Sequence, residues 1–381
     1  MTTAGVVGID EDFFSALAQP GIQRLRAYDP GHDLVALRRQ FAVSHLVELG
    51  SNENPYGPSP LARTAVLEAL HSLHRYPDPL GSDLKRALAI HHGVAPAQCL
   101  LGNGSHELLM QFAQVFAGPG VDVVASQFGF AVYALAAQAA GATLQLAPAL
   151  PREHAMARGH DLEALLAAIT PATRLLYLAN PNNPTGTWFA ASAFVAFMTR
   201  VPRDVIVVVD EAYAELVDAH DFRSALHDLP GYPNLVVTRT FSKAYALAAM
   251  RVGYAIAHPG LIAVMERVRE SFNVNQPALM AAEAALDDGR HLQWVLQQNR
   301  EERARMAGAF TARGHFVHPS QTNFLLIEFG TNTPMIESAL LAEGIVPRPM
   351  AGYGLPDCLR ITIGERAENT RLLAALDQLS T

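Results

Sequence analysis

VIVVVDEAY, residues 205–213, sets five apolar residues in a row and then an aspartate. Val and Ile are stiff at χ1 and favour an extended backbone. Successive side chains of a strand point to opposite faces of its sheet, so a run with no polar alternation means that both faces are covered. Runs of the same kind occur at VDVVA (121–125), TLQLA (143–147), RLLYLA (174–179), NLVVT (234–238) and YAIA (254–257), spaced by Ala/Leu-rich segments of helical pattern. This alternation predicts an α/β fold with a mostly parallel central sheet.

In open sheets of this class, ligands sit beyond the carboxyl ends of the strands. The polar residues following each run then matter most: PNNPTG after RLLYLA, DEAY closing VIVVVD, and TRTFSK closing NLVVT. After residue 270 the pattern changes to two helical stretches (277–288 and 291–310), a strand NFLLIEF, a helix MIESALLAEG and a last strand CLRITIG. This predicts a smaller α+β domain of residues 271–381, joined by residues 1–45, beside a large domain of residues 46–270. SNENPYGPSP (51–60), with its prolines and glycine, reads as the connection.

Composition narrows the function. Of 381 residues half are apolar and 17% charged, with a formal net charge of −8 and a pI of about 6.0. Without an excess of Lys and Arg the chain offers no nucleic-acid or anionic-membrane footprint, and an anionic ligand must be held by local arginines and backbone amides. Two cysteines, Cys99 and Cys358, give neither a disulfide framework nor metal-ligand spacing. The opening MTTAGVVGIDEDFF lacks a basic start, and no run of 18 apolar residues follows. The expectation is a cytoplasmic protein acting on small molecules, with no metal.

Lys243 stands between the hydroxyls of Thr240 and Ser242 and a run of small and apolar residues ending in Arg251. A lysine forms Schiff bases with carbonyls and becomes a usable nucleophile when desolvation or cationic neighbours lower its pKa. Two hydroxyls and an arginine suit a phosphate, and lysine plus phosphate cradle points to pyridoxal 5′-phosphate (PLP). A carboxylate at the end of the most apolar strand, Asp210, is costly to bury unless a cation faces it; a protonated pyridine nitrogen is such a partner. Tyr213 and Asn183 are placed to reach the ring oxygen. In LLGNGSHELLMQF, Gly104, Ser105 and His106 open a helix whose free amides favour phosphate, with Ser105 as N-cap. Phe130 follows a strand and suits the ring face. Singly, each has an ordinary reading: a strand-end lysine, a turn aspartate, a core aromatic. Their joint occurrence on the strand ends of one α/β pattern carries the argument.

SNENPYGPSP, YPDPLG, LGNGSHELL, PNNPTG, VVVDEAY, TFSKAYALAAMRVGYA and LRITIG resemble the fold-type I PLP-dependent aminotransferases, and specifically the histidinol-phosphate aminotransferase family, from about residue 20 to 370. The resemblance implies that Lys243 bonds the cofactor and moves the substrate proton. It pairs Asp210 with the pyridine nitrogen and Asn183 and Tyr213 with the ring oxygen, and sets Thr240, Ser242, Arg251 and the amides of Ser105 and His106 on the phosphate. It further implies a homodimer in which Tyr76 reaches the phosphate of the neighbouring subunit, Arg360 as the substrate-carboxylate arginine, and Asn54 on the substrate side. One pocket must then take both histidinol phosphate and glutamate, which a guanidinium fork allows; Arg360 and Arg348 share the phosphate and Tyr28 closes over it. An aromatic amino-acid aminotransferase or a decarboxylase of a phosphorylated amino acid would use the same lysine and aspartate. A non-catalytic cofactor-binding regulator would need a basic DNA-binding domain, which this chain lacks.

Overall fold

The apolar runs become the strands of one large sheet in the structure, a computed structural model that describes residues 11–23, 25, 31–41 and 46–379. The described strands, in chain order, are β1 (Val47–Glu48), β2 (Cys99–Gly102), β3 (Asp122–Ser126), β4 (Thr143–Ala147), β5 (Thr173–Ala179), β6 (Ile206–Asp210) and β7 (Leu235–Thr240). They continue with β8 (Gly253–Ala257), β9 (Phe316–Val317), β10 (Phe324–Glu328), β11 (Ile345–Val346), β12 (Arg348–Pro349) and β13 (Cys358–Thr362). The large sheet has the order β2-β8-β7-β6-β5-β3-β4. Strands β3 to β7 run parallel, and β8 lies antiparallel between β7 and β2.

Two cores show why the runs are uninterrupted. Leu176, Leu178, Val207, Val209, Leu235 and Val237 face one side, against helices Pro60–Ala69, Ser82–His92 and Gln276–Asp287. Leu175, Tyr177, Val208 and Val236 face the other, against helices Ser105–Phe116, Ala131–Ala139 and Pro259–Met265. Each such side chain contributes about 1.5–3 kcal/mol on burial, so both faces of the middle strands are fixed. Strand β4, at the edge, is half exposed.

The second unit holds the antiparallel sheet β12-β13-β10-β9 and the parallel pair β1-β11. Its core combines Val47 and Leu49 with Met306 and Phe310 of helix Gly289–Ala312, Ile336 and Leu340 of helix Thr333–Ala342, and Leu372 and Leu376 of helix Arg366–Leu379. Packing shifts both expected boundaries toward the C-terminus. Helix Gln276–Asp287 presents Ala278, Ala281, Ala282 and Ala285 to the large-sheet core, because small residues let it approach helix Pro60–Ala69 closely, whereas residues 47–49 pack with the small unit.

Arg158, in the loop after β4, ties the sheets together. Its Nη1 donates to Glu328 Oε2 at 3.0 Å and lies 2.9 Å from His318 Nε2. Among the described residues no helix is long and apolar enough to cross a membrane.

Candidate active site

The carboxyl ends of β5, β6 and β7 open into a cavity of about 470 Å³, closed on its far side by residues of β12 and β13. Asp210 ends β6 and is 6% exposed. Tyr133 Oη donates to its Oδ2 at 3.1 Å and Thr238 Oγ1 to its Oδ1 at 3.3 Å. Burial pushes the carboxyl pKa up to about 6, against those bonds and the Ala212 amide. A buried carboxylate of raised pKa on a cavity wall is prepared for a cation from the cavity. Tyr133 is held flat against Tyr177, with ring centroids 4.9 Å apart and planes at 4°, and meets the Phe130 ring edge-on at 5.9 Å. Phe130 itself lines the cavity.

The neighbour of Asp210 does different work. Glu211, wholly buried, accepts from Arg239 Nε at 3.0 Å and Nη2 at 2.7 Å and from Ser224 Oγ at 2.6 Å, while Arg239 Nη1 reaches Glu215 at 2.8 Å. Such a pair, satisfied on every side, braces β6 against β7 directly behind the cavity.

Lys243 lies three residues past the end of β7, its amine 3.0 Å from the Asn52 carbonyl and 3.4 Å from that of Ser51. Desolvation, then the charges of Arg360 and Arg251, lower its pKa to about 8, with Glu53 and Asp210 opposing. The cationic neighbour expected from the sequence was Arg251 alone; the structure puts burial first and Arg360 ahead of it. Asn54, expected on the substrate side, does not line the cavity. Its Nδ2 donates to the carbonyls of Lys243 (3.3 Å) and Ala244 (3.0 Å), so it holds the backbone that carries the lysine.

The start of helix Ser105–Phe116 forms the opposite end. Gly104, not Ser105, is its N-cap: φ is +80°, which glycine adopts without cost, and glycine brings no side-chain cap of its own. Arg251 packs so near that a Cβ on Gly104 would sit 2.6 Å from its Nη2, and a Cβ on Gly253 would sit 2.5 Å from the Ser105 nitrogen. Arg251 Nη1 donates to Ser242 Oγ at 3.4 Å and to the Ala248 carbonyl at 3.0 Å. With Ser105, His106, Thr240 and Ser242 on the wall, helix amides, two hydroxyls and a guanidinium surround one anion-sized corner. Burial and Arg251 lower the His106 pKa, so its ring is neutral near pH 7 and leaves the charge to Arg251.

Arg348 and Arg360 are cross-strand partners of β12 and β13, and both line the cavity. Arg360 Nη1 donates to Asn183 Oδ1 and Nη2 to the Gly50 carbonyl, each at 2.6 Å. Like charges directly opposite destabilise a sheet pair, and an anion between them removes that cost. Gly31 (φ +101°) lies over Arg348 so closely that a Cβ there would overlap the guanidinium. His32 beside it bonds Glu337 at 2.9 Å.

Tyr213 lines the cavity. Tyr76 does not; it is 82% exposed and stacks on Phe272 with centroids 4.5 Å apart. Tyr28 lies outside the described residues. Sequence reasoning missed Asn52, Tyr133, Thr238 and Tyr353. Asn52 sat in the quoted SNENPYG stretch and Tyr133 three residues beyond Phe130, one helical turn away; those were the available signals.

Residues 44–376 match the family described as aminotransferase class I and II. The histidinol-phosphate aminotransferase 2 of Pseudomonas aeruginosa is 46% identical over 368 residues, covering 96% of this chain and 98% of that one. Its counterpart from Pseudomonas fluorescens Pf0-1 is 47% identical over 365 residues, covering 95% and 97%. Among solved structures, histidinol-phosphate aminotransferase from Sinorhizobium meliloti, in complex with pyridoxal-5′-phosphate, superposes with a TM-score of 0.86 at 34% identity, covering 95% of this chain and 97% of that one.

Proposed function

The chain belongs to the class I and II aminotransferase family, and we infer that it works there as a PLP-dependent histidinol-phosphate aminotransferase, exchanging an amino group between L-histidinol phosphate and 2-oxoglutarate for histidine biosynthesis. The arginine pair Arg348–Arg360 on the cavity wall is the observation that carries the substrate assignment. Two guanidinium groups side by side suit the phosphate of one substrate and the carboxylates of glutamate in turn.

The residues present fit the cofactor. Asp210, buried and of raised pKa, is matched by a protonated pyridine nitrogen; Asn183 and Tyr213 would hold the ring oxygen and Phe130 the ring face. The amides of Ser105 and His106, with Thr240, Ser242 and Arg251, would hold the phosphate. When bound, PLP supplies an electron sink for cleavage of the substrate Cα–H bond.

The chain's own groups do the rest. With a pKa of about 8, roughly one lysine in ten is neutral at pH 7, so Lys243 has a usable free amine that would hold the cofactor and could carry a proton. Asp210 would be held ionised by a cation facing it. Arg360, fixed by Asn183 and Gly50, orients the anion, and Arg348 adds the second charge. Two half-reactions in sequence give ping-pong kinetics.

A homodimer is part of this reading. Leu61, Leu67, Leu70, Leu73 and Ile90 are exposed along helices Pro60–Ala69 and Ser82–His92 and the turn after the first, an apolar face suited to a second copy. Exposed Tyr76, on the segment between those helices, would serve the phosphate of the partner. Two buried free cysteines suit the cytoplasm.

The test is a single half-reaction. The PLP form is mixed with L-histidinol phosphate and, separately, with L-phenylalanine at equal low concentration, and its visible absorbance is followed. Much faster conversion by histidinol phosphate is expected; faster conversion by phenylalanine would move the chain to the aromatic aminotransferases.

A further inference from the structure

Asn52 touches two groups of the site at once. It is 2% exposed and lines the cavity. Its Nδ2 donates to Tyr213 Oη at 3.0 Å, and its backbone carbonyl, 3.0 Å from Lys243 Nζ, also accepts from Asn323 Nδ2 at 3.0 Å. Its φ is +54°, in the left-handed region that Asn and Asp tolerate better than other side chains.

The hydrogen bonds around it have a forced direction. The Asn52 backbone N–H donates to Thr362 Oγ1 at 2.9 Å, so this hydroxyl accepts there and spends its own proton elsewhere. The Asn52 Oδ1 lies 3.4 Å from the same oxygen and cannot donate, so Thr362 donates to it. The amide sits with its oxygen toward Thr362 and its nitrogen toward Tyr213. The phenol oxygen of Tyr213 then accepts from Asn52, so its proton points away from Asn52.

We propose that Asn52 is a positioning residue that sets the direction of the Tyr213 hydroxyl proton, with Thr362 of the small sheet holding the Asn52 amide in register. The proposal rests on the cofactor reading, in which Tyr213 serves the ring oxygen. Without this device the Tyr213 hydroxyl would be free to donate to Asn52 and present a lone pair to a ring oxygen that carries negative charge. A donor there favours the deprotonated form of the bound chromophore. Thr362 stands two residues beyond Arg360 on β13, so one strand positions both the substrate anion and this proton.

The experiment is a pH titration of the visible absorbance of the holoenzyme, which needs no turnover. Asn52→Asp keeps the volume and tolerates the left-handed backbone, but its carboxylate accepts the Tyr213 proton and turns it away. Its midpoint is expected to rise by about one unit, the worth of one hydrogen bond. Tyr213→Phe is expected to raise the midpoint by at least as much. The added charge of Asn52→Asp acts in either background, whereas orientation needs the hydroxyl, so in Tyr213→Phe the further shift from Asn52→Asp should be much smaller.

Thr362→Val, uncharged and of equal shape, should raise the midpoint by roughly half a unit because the amide is no longer held; it also covers the case in which Asn52→Asp fails to fold. Equal shifts from Asn52→Asp in both backgrounds, or no shift from Asn52→Asp and Thr362→Val, would overturn the proposal. If Tyr213→Phe shifts the midpoint while those two do not, the role of Tyr213 stands and the relay falls. If Tyr213→Phe itself has no effect, both fall.

Discussion

The floor of the cavity is laid by residues that end or closely follow the strands of one sheet, whereas its rim is put together from segments hundreds of positions apart. Asp210 ends β6, Thr240 ends β7, and Ser242 and Lys243 come two and three residues later. On the rim, Arg360 is tied to Asn183 and Gly50, Asn52 to Thr362, and Gly31 lies against Arg348. In the function proposed above, a floor placed by a rigid, doubly buried sheet would hold the cofactor chemistry, and a rim placed by the meeting of two units would decide which anion is accepted.

The largest effect expected separates these two parts completely. Lys243→Ala should lower the half-reaction by about 10⁴-fold or more, since it removes both the covalent attachment and the proton carrier, while cofactor still binds through Asp210 and the phosphate corner. Single-turnover kinetics with separately measured cofactor binding checks this. Retained turnover would mean that the floor has been assigned to the wrong residues.

Asp210→Asn comes next, with a loss of about 10²–10³-fold, in the range for a preorganised charge facing developing charge. It also has a signature in the cofactor-free protein. The folded pKa, about 6, is raised above the ordinary 3.8, so the folded state binds this proton more tightly than the unfolded chain does. The stabilisation is fully present below about pH 4 and is lost as pH rises through 6, on the order of 3 kcal/mol. Melting of the apoprotein from pH 4 to 7 should show that decline, and Asp210→Asn should flatten it. Adding PLP should restore stability at pH 7 in the native chain much more than in the variant. A native profile no steeper than that of Asp210→Asn would show that this carboxyl is not held as the geometry requires.

The same division explains what the sequence reveals. The placement of the floor residues on the cavity wall was legible because apolar runs locate strand ends and the lining residues lie within a few positions of each; β7 runs on to Thr240, two residues past the apolar pattern, without moving them off the wall. Ser105 was misread as the N-cap because serine is the commoner cap; only backbone geometry shows that Gly104 takes the place, at a φ that admits Arg251 beside it. Asn54 was misread because a residue in a motif shows that it matters and not which way it faces. The facing of Arg348 and Arg360 depends on the register of two short strands, which no periodicity in a two-residue strand can announce. Four-residue β2 carries no periodic signal either.

On the rim, Arg348→Ala should discriminate between substrates. Loss of a charged hydrogen-bond partner is worth about 1.5–3 kcal/mol, so kcat/KM for histidinol phosphate should fall roughly 10- to 100-fold. Glutamate, held chiefly by Arg360, should lose less. Steady-state kinetics in both directions measures the ratio; equal losses for the two substrates would make Arg348 a structural arginine and leave the phosphate to Arg360.

Gly31→Ala is the smallest change and the sharpest probe of how the rim is assembled. The added methyl meets the Arg348 guanidinium, and the backbone at φ +101° disfavours any side chain. Two responses are open to the molecule: Arg348 turns aside, or the segment carrying Gly31 lifts while the His32–Glu337 bond and the Asp33 bonds to the amides of Val35 and Ala36 keep it attached. In the first case KM for histidinol phosphate should rise several-fold with glutamate nearly unaffected, the same selectivity as Arg348→Ala in weaker form. In the second, both substrates should suffer alike, because the cavity opens to water without a change in its charges. Combining the two substitutions decides between them. Arg348→Ala frees the space the methyl needs, so if Arg348 is what Gly31 accommodates, adding Gly31→Ala to Arg348→Ala should cost little more than the backbone strain. Additive losses would instead place the function of Gly31 in the path of the chain over the site.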